Sequence, residues 1–277
     1  MALSVNTNVG AAAALQSLNA TNRQLETVQS RINTGLNVSS AKDDSAAYAI
    51  AQNLRGDLGG LKAVTASLSN AKSVTDVAVA GAEQISDVVN SMRELAKKAS
   101  DTGISDDTRD SYNQQFESLR DQITTIVNSS SFNDTNLLKT SGGAVSALQS
   151  LSSGDTLTVA NQGLDLPANE TTGKLGKDST IDTAAKASAM DATLKTLGTT
   201  VTTTLSNLGA ASNQIDSQMV FTSKLSDTIE SGIGNLVDAD LAKESAKLQA
   251  LQVKQQLGVQ ALSIANQAPQ TIISLFK

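Results

Sequence analysis

The chain has 277 residues, of which 39% are hydrophobic, 17% charged and 2% aromatic, with two prolines, no histidine, cysteine or tryptophan, and a formal charge of −6. That length allows one or two domains with a buried core, and a core so poor in aromatics has to be built from Ala, Leu, Val and Ile in helices. Without His or Cys there is no Ser-His-Asp or Cys-His nucleophile pair, no His- or Cys-ligated zinc, no axial haem histidine and no disulfide, and the acidic balance argues against a general footprint for nucleic acid or anionic lipid.

The first residues, Met1 to Asn8, carry no basic n-region, and the first positive side chain is Arg23. Asn6, Asn8, Gln16 and Asn19 interrupt the short apolar run Ala11 to Leu15, so no cleaved secretory signal is expected. No stretch approaches the roughly 20 apolar residues of a membrane span. Leu15, Leu18, Leu25, Val28, Ile32 and Leu36 recur in three-and-four steps, with polar Asn22 at the missing rung, and predict a first helix ending near Gly35. From Ile50 to Leu95 apolar residues recur at a mean step near 3.5, the coiled-coil period, predicting a second helix from about 44 to 99. At 1.5 Å per residue it would be about 80 Å long, a rod.

Thr102 to Asp107 reads as a turn, with Gly103 ending one helix and Ser or Asp capping the next. Tyr112, Phe116, Leu119, Ile123 and Ile126 then predict a shorter helix folding back on the rod. Ser, Thr, Gly, Asn and Asp dominate 129–180 and helical spacing is lost. Thr156-Leu157-Thr158-Val159 alternates like a strand, and Asn161-Gln162-Gly163 would turn it into Leu164-Asp165-Leu166, a small β-hairpin region. From about 182 the helical spacing returns, through Leu194, Leu197, Val201, Leu205, Leu208, Ala211, Ile215, Met219, Leu225 and Ile229. Ser231 to Asn235, with Gly232 and Gly234, reads as a flexible joint. The last amphipathic helix shows Leu241, Leu248, Leu251, Leu257, Ala261 and Ile264, sets Lys243, Glu244, Lys247 and Lys254 on its polar face, and stops before Pro269.

The fold class expected is mainly α: an elongated antiparallel bundle of long helices with a terminal coiled coil and a small β-hairpin. The topology brings the two chain ends side by side, each covering the other's apolar stripe. Such a thin layer buries little, so the terminal helices are expected to order fully only when neighbouring copies cover them.

At several stretches the spelling itself is specific. Gln29-Ser30-Arg31-Ile32-Asn33-Thr34-Gly35-Leu36-Asn37-Val38-Ser39-Ser40-Ala41-Lys42-Asp43-Asp44-Ser45-Ala46-Ala47-Tyr48-Ala49-Ile50 resembles the N-terminal signature of bacterial flagellins. Met92-Arg93-Glu94-Leu95-Ala96 is similar to the family's R-E-L-A segment, and Phe132 to Leu138 to its F-N-G-x-x-L-L. Asp238 to Glu244, Gln255-Gln256-Leu257 and Ala265 to Gln270 resemble the C-terminal signature. The similarity is greatest to the short alphaproteobacterial flagellins, which lack large outer domains.

The resemblance implies a structural subunit, not an enzyme, that self-polymerises into a hollow extracellular filament for swimming and uses no cofactor or metal. It implies residues 1–43 and 234–277 as the inner coiled-coil layer and 44–233 as the outer helical-rod domain, with the β-hairpin region near 139–180. Leu18, Leu25, Ile32, Leu36, Leu241, Leu248, Leu251, Leu257 and Ile264 are expected in the assembly seam, and Asp43, Asp44, Gly232 and Gly234 at the junction between layers. Implied partners are further copies of the chain, the flagellar type III export apparatus, an export chaperone, and the hook-associated junction and cap proteins; neither nucleic acid nor membrane insertion is implied. The alternatives are a hook–filament junction protein, which would resemble flagellin at its ends only, and a helical signalling rod.

Departures from the family pattern are Tyr48 and Asp134, each where glycine is usual, and Ser91 and Gln115, where a further Arg and a Glu are common. With Arg93, Glu94 and Leu95 the last two belong to the segment read by an animal innate-immune receptor, and their identities imply weak recognition. Other motifs have plainer readings. Ser39-Ser40-Ala41-Lys42 and Ser69-Asn70-Ala71-Lys72 match S-x-x-K by chance in a Ser-rich chain. Asp238, Asp240 and Glu244 suit a helix start better than a calcium loop. Asn22, Gln29, Gln255 and Asn266 lie on or beside apolar stripes, either simply exposed or fixing register between copies. The N-x-S/T sequon at Asn169 carries little weight without a compartment, and the Ser/Thr-rich stretch 140–185 is a candidate for O-modification.

Overall fold

The computed structural model describes residues 7–275 apart from Ser153 and Thr172, with the backbone alone over 268–275. In chain order it contains α1 (Val9–Thr34), α2 (Ser45–Ala99), α3 (Asp106–Ser129), β1 (Val145–Leu148), β2 (Thr156–Val159), α4 (Ala184–Val237) and α5 (Leu241–Leu275). The expected mainly helical class with one small hairpin is the class adopted. The chain divides into two compact units, one made of residues up to 58 and from 227 onward, the other of residues 59–226.

The 59–226 unit holds the larger core. Its α2 part buries Leu61, Val64, Leu68, Ala71, Val74, Ala78, Ala82, Ile85, Val89 and Met92 in the predicted stripe. Antiparallel to it, α4 buries Met190, Leu194, Val201, Leu208 and Ile215, and Lys72 reaches Asp216 at 3.3 Å across the pair. Phe116, Ile123 and Val127 bring α3 onto the same core. Ser105 caps α3, its hydroxyl accepting the Thr108 N–H, and Asp106 and Asp107 occupy the first turn, where negative charge complements the helix dipole. The threonine-rich stretch of α4 remains helical because Leu194, Val201 and Leu208 are buried in the core on either side of and within it, and the hydroxyls of Thr196, Thr199, Thr200, Thr202 and Thr203 each donate to the carbonyl one turn back.

Three local features differ from the sequence expectation. Thr156–Val159 is a strand, but it pairs with the upstream segment Val145–Leu148 in antiparallel register, Val145 opposite Val159. Leu164 and Leu166 are buried, and the backbone beside them bonds instead to the Leu137–Leu138 segment, Leu164 N–H reaching the Leu138 carbonyl at 2.6 Å. Val145-Ser146-Ala147-Leu148 escapes a propensity reading because Ser and Ala carry no strand signal, although Val145 and Ala147 are both buried. Secondly, the expected joint at 231–235 is helical, and α4 continues through Gly232 and Gly234 to Val237. Each glycine costs about 1 kcal/mol against alanine in a helix, but Ile233 and Val237 pack with Val38 and Ala51, and that contact decides. Thirdly, α5 does not stop before Pro269 but runs through it.

Candidate assembly interface

The unit that contains both chain ends is built on α1 and α5, which pair antiparallel. Asn8 caps α1 by accepting the Ala11 N–H, and Gly35, at φ 72°, closes it in the left-handed conformation that glycine adopts freely. Between these caps Ala11, Ala14, Leu18, Thr21, Leu25, Val28 and Ile32 are buried or half-buried in alternating steps of three and four. On α5 the same alternation runs through Glu244, Leu248, Leu251, Gln255, Gly258, Leu262 and Ala265. Two matching 3.5-residue stripes make a coiled-coil seam. Leu25, Val28 and Leu251 form its buried centre, flanked by Ile32 and Leu248; each such side chain contributes about 1.5–3 kcal/mol when fully buried. A Cβ on Gly258 would stand 3.3 Å from Leu18 Cδ1, so glycine there lets the helices approach closely.

Polar groups fix how the seam meets. Gln255 Nε2 donates to Asn22 Oδ1 at 2.8 Å, so these two amides set register within one chain rather than between copies. Gln29 and Asn266 are exposed. Glu244, expected on the polar face, is buried, and its Oε1 lies 3.4 Å from Arg31 Nη1 and 3.9 Å from Lys247 Nζ. Glu244 Oε2 and Arg31 Nε are buried without a hydrogen-bond partner. A pair so incompletely satisfied adds less to stability than to the choice of alignment.

The predicted seam residues therefore fall into separate places. Leu18, Leu25, Ile32, Leu248 and Leu251 meet in the α1–α5 seam. Leu36 belongs to a second cluster with Val38, Ala47, Tyr48, Ala51, Ile233 and Val237. Leu241, Leu257 and Ile264 are exposed by 49%, 61% and 64%. The last two continue a stripe of Ala246, Ala250, Val253 and Ala261, all exposed. Most of these sit two positions after a seam residue, roughly 200° around the helix. Thus α5 is apolar on two opposite faces, one closed by α1 and the other open.

Where the ends of α1 and α4 meet, Leu36 and Asp238 form an isolated antiparallel bridge. Asn37 N–H reaches the Val237 carbonyl at 2.7 Å, and Ala239 N–H reaches that of Gly35 at 2.8 Å. Tyr48, where the family pattern has glycine, is half-buried in the adjoining cluster. Asp43 Oδ2 accepts four bonds of 3.0–3.1 Å from the backbone N–H and hydroxyl of Ser39 and of Ser40. The two hydroxyls, Ser39 foremost, hold the Asp43 carboxyl below the ordinary carboxylate value. Asp44 caps α2, accepting the N–H groups of Ala46 and Ala47 at 3.0 Å. Gly232 and Gly234 lie inside α4, and the Gly234 carbonyl accepts the Asp238 N–H at 2.8 Å.

The S-x-x-K geometries carry no serine activation. Ser39 donates to Asp43, and Ser69 donates to the Thr65 carbonyl. Lys72 bonds to Asp76, Asp216 and the Ser212 hydroxyl, and the carboxylates, Asp76 foremost, raise its pKa, the wrong direction for a base. Asp240 caps α5 through the Ala242 and Lys243 N–H groups while Glu244 turns to Arg31, so the two do not converge on an ion.

In the 59–226 unit, Ser91 is exposed and its hydroxyl donates to the Asp87 carbonyl. Arg93 Nε stands 3.5 Å from Asp191 Oδ1, Glu94 pairs with Lys98 at 2.7 Å, Leu95 is buried and Gln115 is exposed on α3. Sequence reasoning missed Asn8, Thr21, Arg109, Gly258 and Leu262. Extending the heptad from Leu248 and Leu251 would have found Gly258 and Leu262; Thr21 and Arg109 offered no signal beyond their polar identity.

Comparison with known proteins gives these features a context. Residues 5–143 match the bacterial flagellin N-terminal helical region, and residues 181–276 match the bacterial flagellin C-terminal helical region. Flagellin FljM of Caulobacter vibrioides is 46% identical over 276 residues, spanning 99% of this chain and 98% of its own. A flagellin of Brucella melitensis is 37% identical over 283 residues, with 99% of each chain covered. Among solved structures, a putative flagellar hook-associated protein from Vibrio parahaemolyticus superposes with a TM-score of 0.59 at 16% identity, covering 71% of this chain and 100% of that one, a likeness of fold alone.

Proposed function

This chain belongs to the bacterial flagellin family, and we propose that it assembles through both apolar faces of α5, the inner one closed by its own α1 and the outer one by neighbouring copies. It is a structural subunit that self-polymerises into the extracellular filament of the bacterial flagellum and serves swimming motility. Full-length similarity to flagellins favours this over a junction protein, which would share its ends only. No helix among the described residues is long and apolar enough to cross a membrane.

The observation that carries the assembly reading is the uncovered stripe of Val253, Leu257, Ala261 and Ile264 on the side of α5 away from its seam. Contacts of this kind between different patches of identical copies build an open helical tube wherever the rotation they impose does not close into a ring. In this reading residues 1–43 and 234–277 line the tube as its inner layer, residues 44–233 form the outer layer, and Asp43, Asp44 and the Gly232–Gly234 turn of helix lie near the boundary. The work is self-association, without catalysis. Passage through the flagellar type III apparatus, a chaperone on α5 and end contacts with junction and cap proteins belong to the same reading, supported by family membership. Weak engagement of the innate receptor follows from Ser91 and Gln115.

Leu25→Asp, or removal of residues 258–277, is expected to leave a soluble monomer that forms no filaments when seeded, as seen by electron microscopy. Normal filaments from either variant would overturn the assignment of the seam.

A further inference from the structure

Pro269 lies inside α5, and proline has no N–H to offer the carbonyl four residues earlier. In this helix that carbonyl belongs to Ala265. Asn8 Nδ2 donates to the Ala265 carbonyl at 2.7 Å, while Asn8 Oδ1 accepts the Ala11 N–H at 2.9 Å and caps α1. One side chain thus completes the start of one helix and the interrupted ladder of the other.

We propose that Asn8 and Pro269 together form a register lock: Pro269 opens a single acceptor near the end of α5, and Asn8 is the positioning residue that reads it. The reasoning is one of availability. The carbonyls of Leu262, Ser263 and Ile264 face the N–H groups of residues 266, 267 and 268, and that of Asn266 faces residue 270, so an ordinary helix bond serves each of them. Only Ala265 is left with an unserved oxygen along this part of α5. Sliding α1 by one turn would set Asn8 against carbonyls already bonded and take from the half-buried Ala265 oxygen its side-chain partner. A helix pair whose small residues, Gly10, Ala11, Ala14, Gly258 and Ala265, are forgiving of a slip has most need of such a device. The lock acts within one molecule and does not depend on polymerisation.

The chain has no cysteine, so an engineered pair reports the stagger alone. A Cβ at Gly258 would lie 3.8 Å from Leu18 Cβ, inside the span a disulfide requires. In the full-length Leu18→Cys/Gly258→Cys chain, oxidised in dilute solution, the rate of intramolecular disulfide formation is followed by non-reducing electrophoresis and mass spectrometry. Adding Asn8→Asp, which keeps a capping oxygen but removes the donor, is expected to slow that rate about fivefold, the factor associated with one hydrogen bond. Adding Pro269→Ala as well, which restores an N–H to the Ala265 carbonyl, is expected to return the rate to the parent's. Equal slowing with and without Pro269→Ala, or no slowing in either background, overturns the lock. A parent pair that does not cross-link within the chain overturns the stagger itself. Filament formation enters none of these readouts, so failure of the assembly reading stays separate.

Discussion

Asn133 and Asp134 have φ of 49° and 61°, the left-handed region that glycine adopts freely and that asparagine and aspartate tolerate better than other residues with a side chain. They form a tight two-residue loop in which Phe132 and Thr135 exchange both backbone bonds at 3.0 Å, the hairpin geometry that requires positive φ at both central positions. Asp134→Gly is therefore expected to stabilise the 59–226 unit by about 0.5–1 kcal/mol, visible as a higher urea midpoint of the full chain with an unchanged slope; a lower midpoint would show that the Asp134 side chain contributes more than its backbone costs. Glycine's absence at this position was visible in the sequence as a departure from the family spelling. The conformation itself was not, because φ is set by the bonds Phe132 and Thr135 make across the loop.

The elements show what periodicity can and cannot supply. Long apolar stripes placed α1, α2, α3 and the body of α4 from spacing alone, since one buried face repeated over many turns leaves little ambiguity. Boundaries decided by a distant partner escaped it, as where the packing of Ile233 and Val237 carries α4 past two glycines. The α2–α3 turn was legible from Gly103 and its Ser or Asp cap, but the side chain that holds it was not. Arg109 is buried there, its Nε donating to the Ala99 carbonyl and its Nη2 to that of Asp101, each at 3.0 Å, with Asp106 2.8 Å from Nη1. The guanidinium thus serves carbonyls that the end of α2 leaves open. Arg109→Ala is expected to cost about 2–3 kcal/mol, read from chemical denaturation, and Arg109→Lys to recover little of it, since an ammonium cannot span both carbonyls and the carboxylate. Full recovery by lysine would mean that charge alone matters at this turn.

For the molecule as a whole, the candidate seam was legible in part. Spacing named Leu18, Leu25, Ile32, Leu248 and Leu251, but it placed Leu257 and Ile264 on the same face, because leucines on opposite sides of a doubly apolar helix look alike in one dimension. The two faces predict different defects. Leu251→Asp is expected to unpair α1 from α5 and stop polymerisation together. Leu257→Asp is expected to keep the pair while raising the critical concentration for assembly at least about tenfold, the factor for 1.4 kcal/mol. Sedimentation reads assembly, and hydrogen exchange of α1 amides reads pairing; loss of α1 protection in Leu257→Asp would show that the outer face also supports the pair. The partners of this seam are far apart in the chain: Asn8 and the residue it holds are separated by 257 positions. While the polypeptide is being made, its earliest helix must therefore wait, sticky and unmatched, until almost all the remainder has left the ribosome. The contiguous middle can mature early, whereas the unit built from both extremities is by topology the last to close.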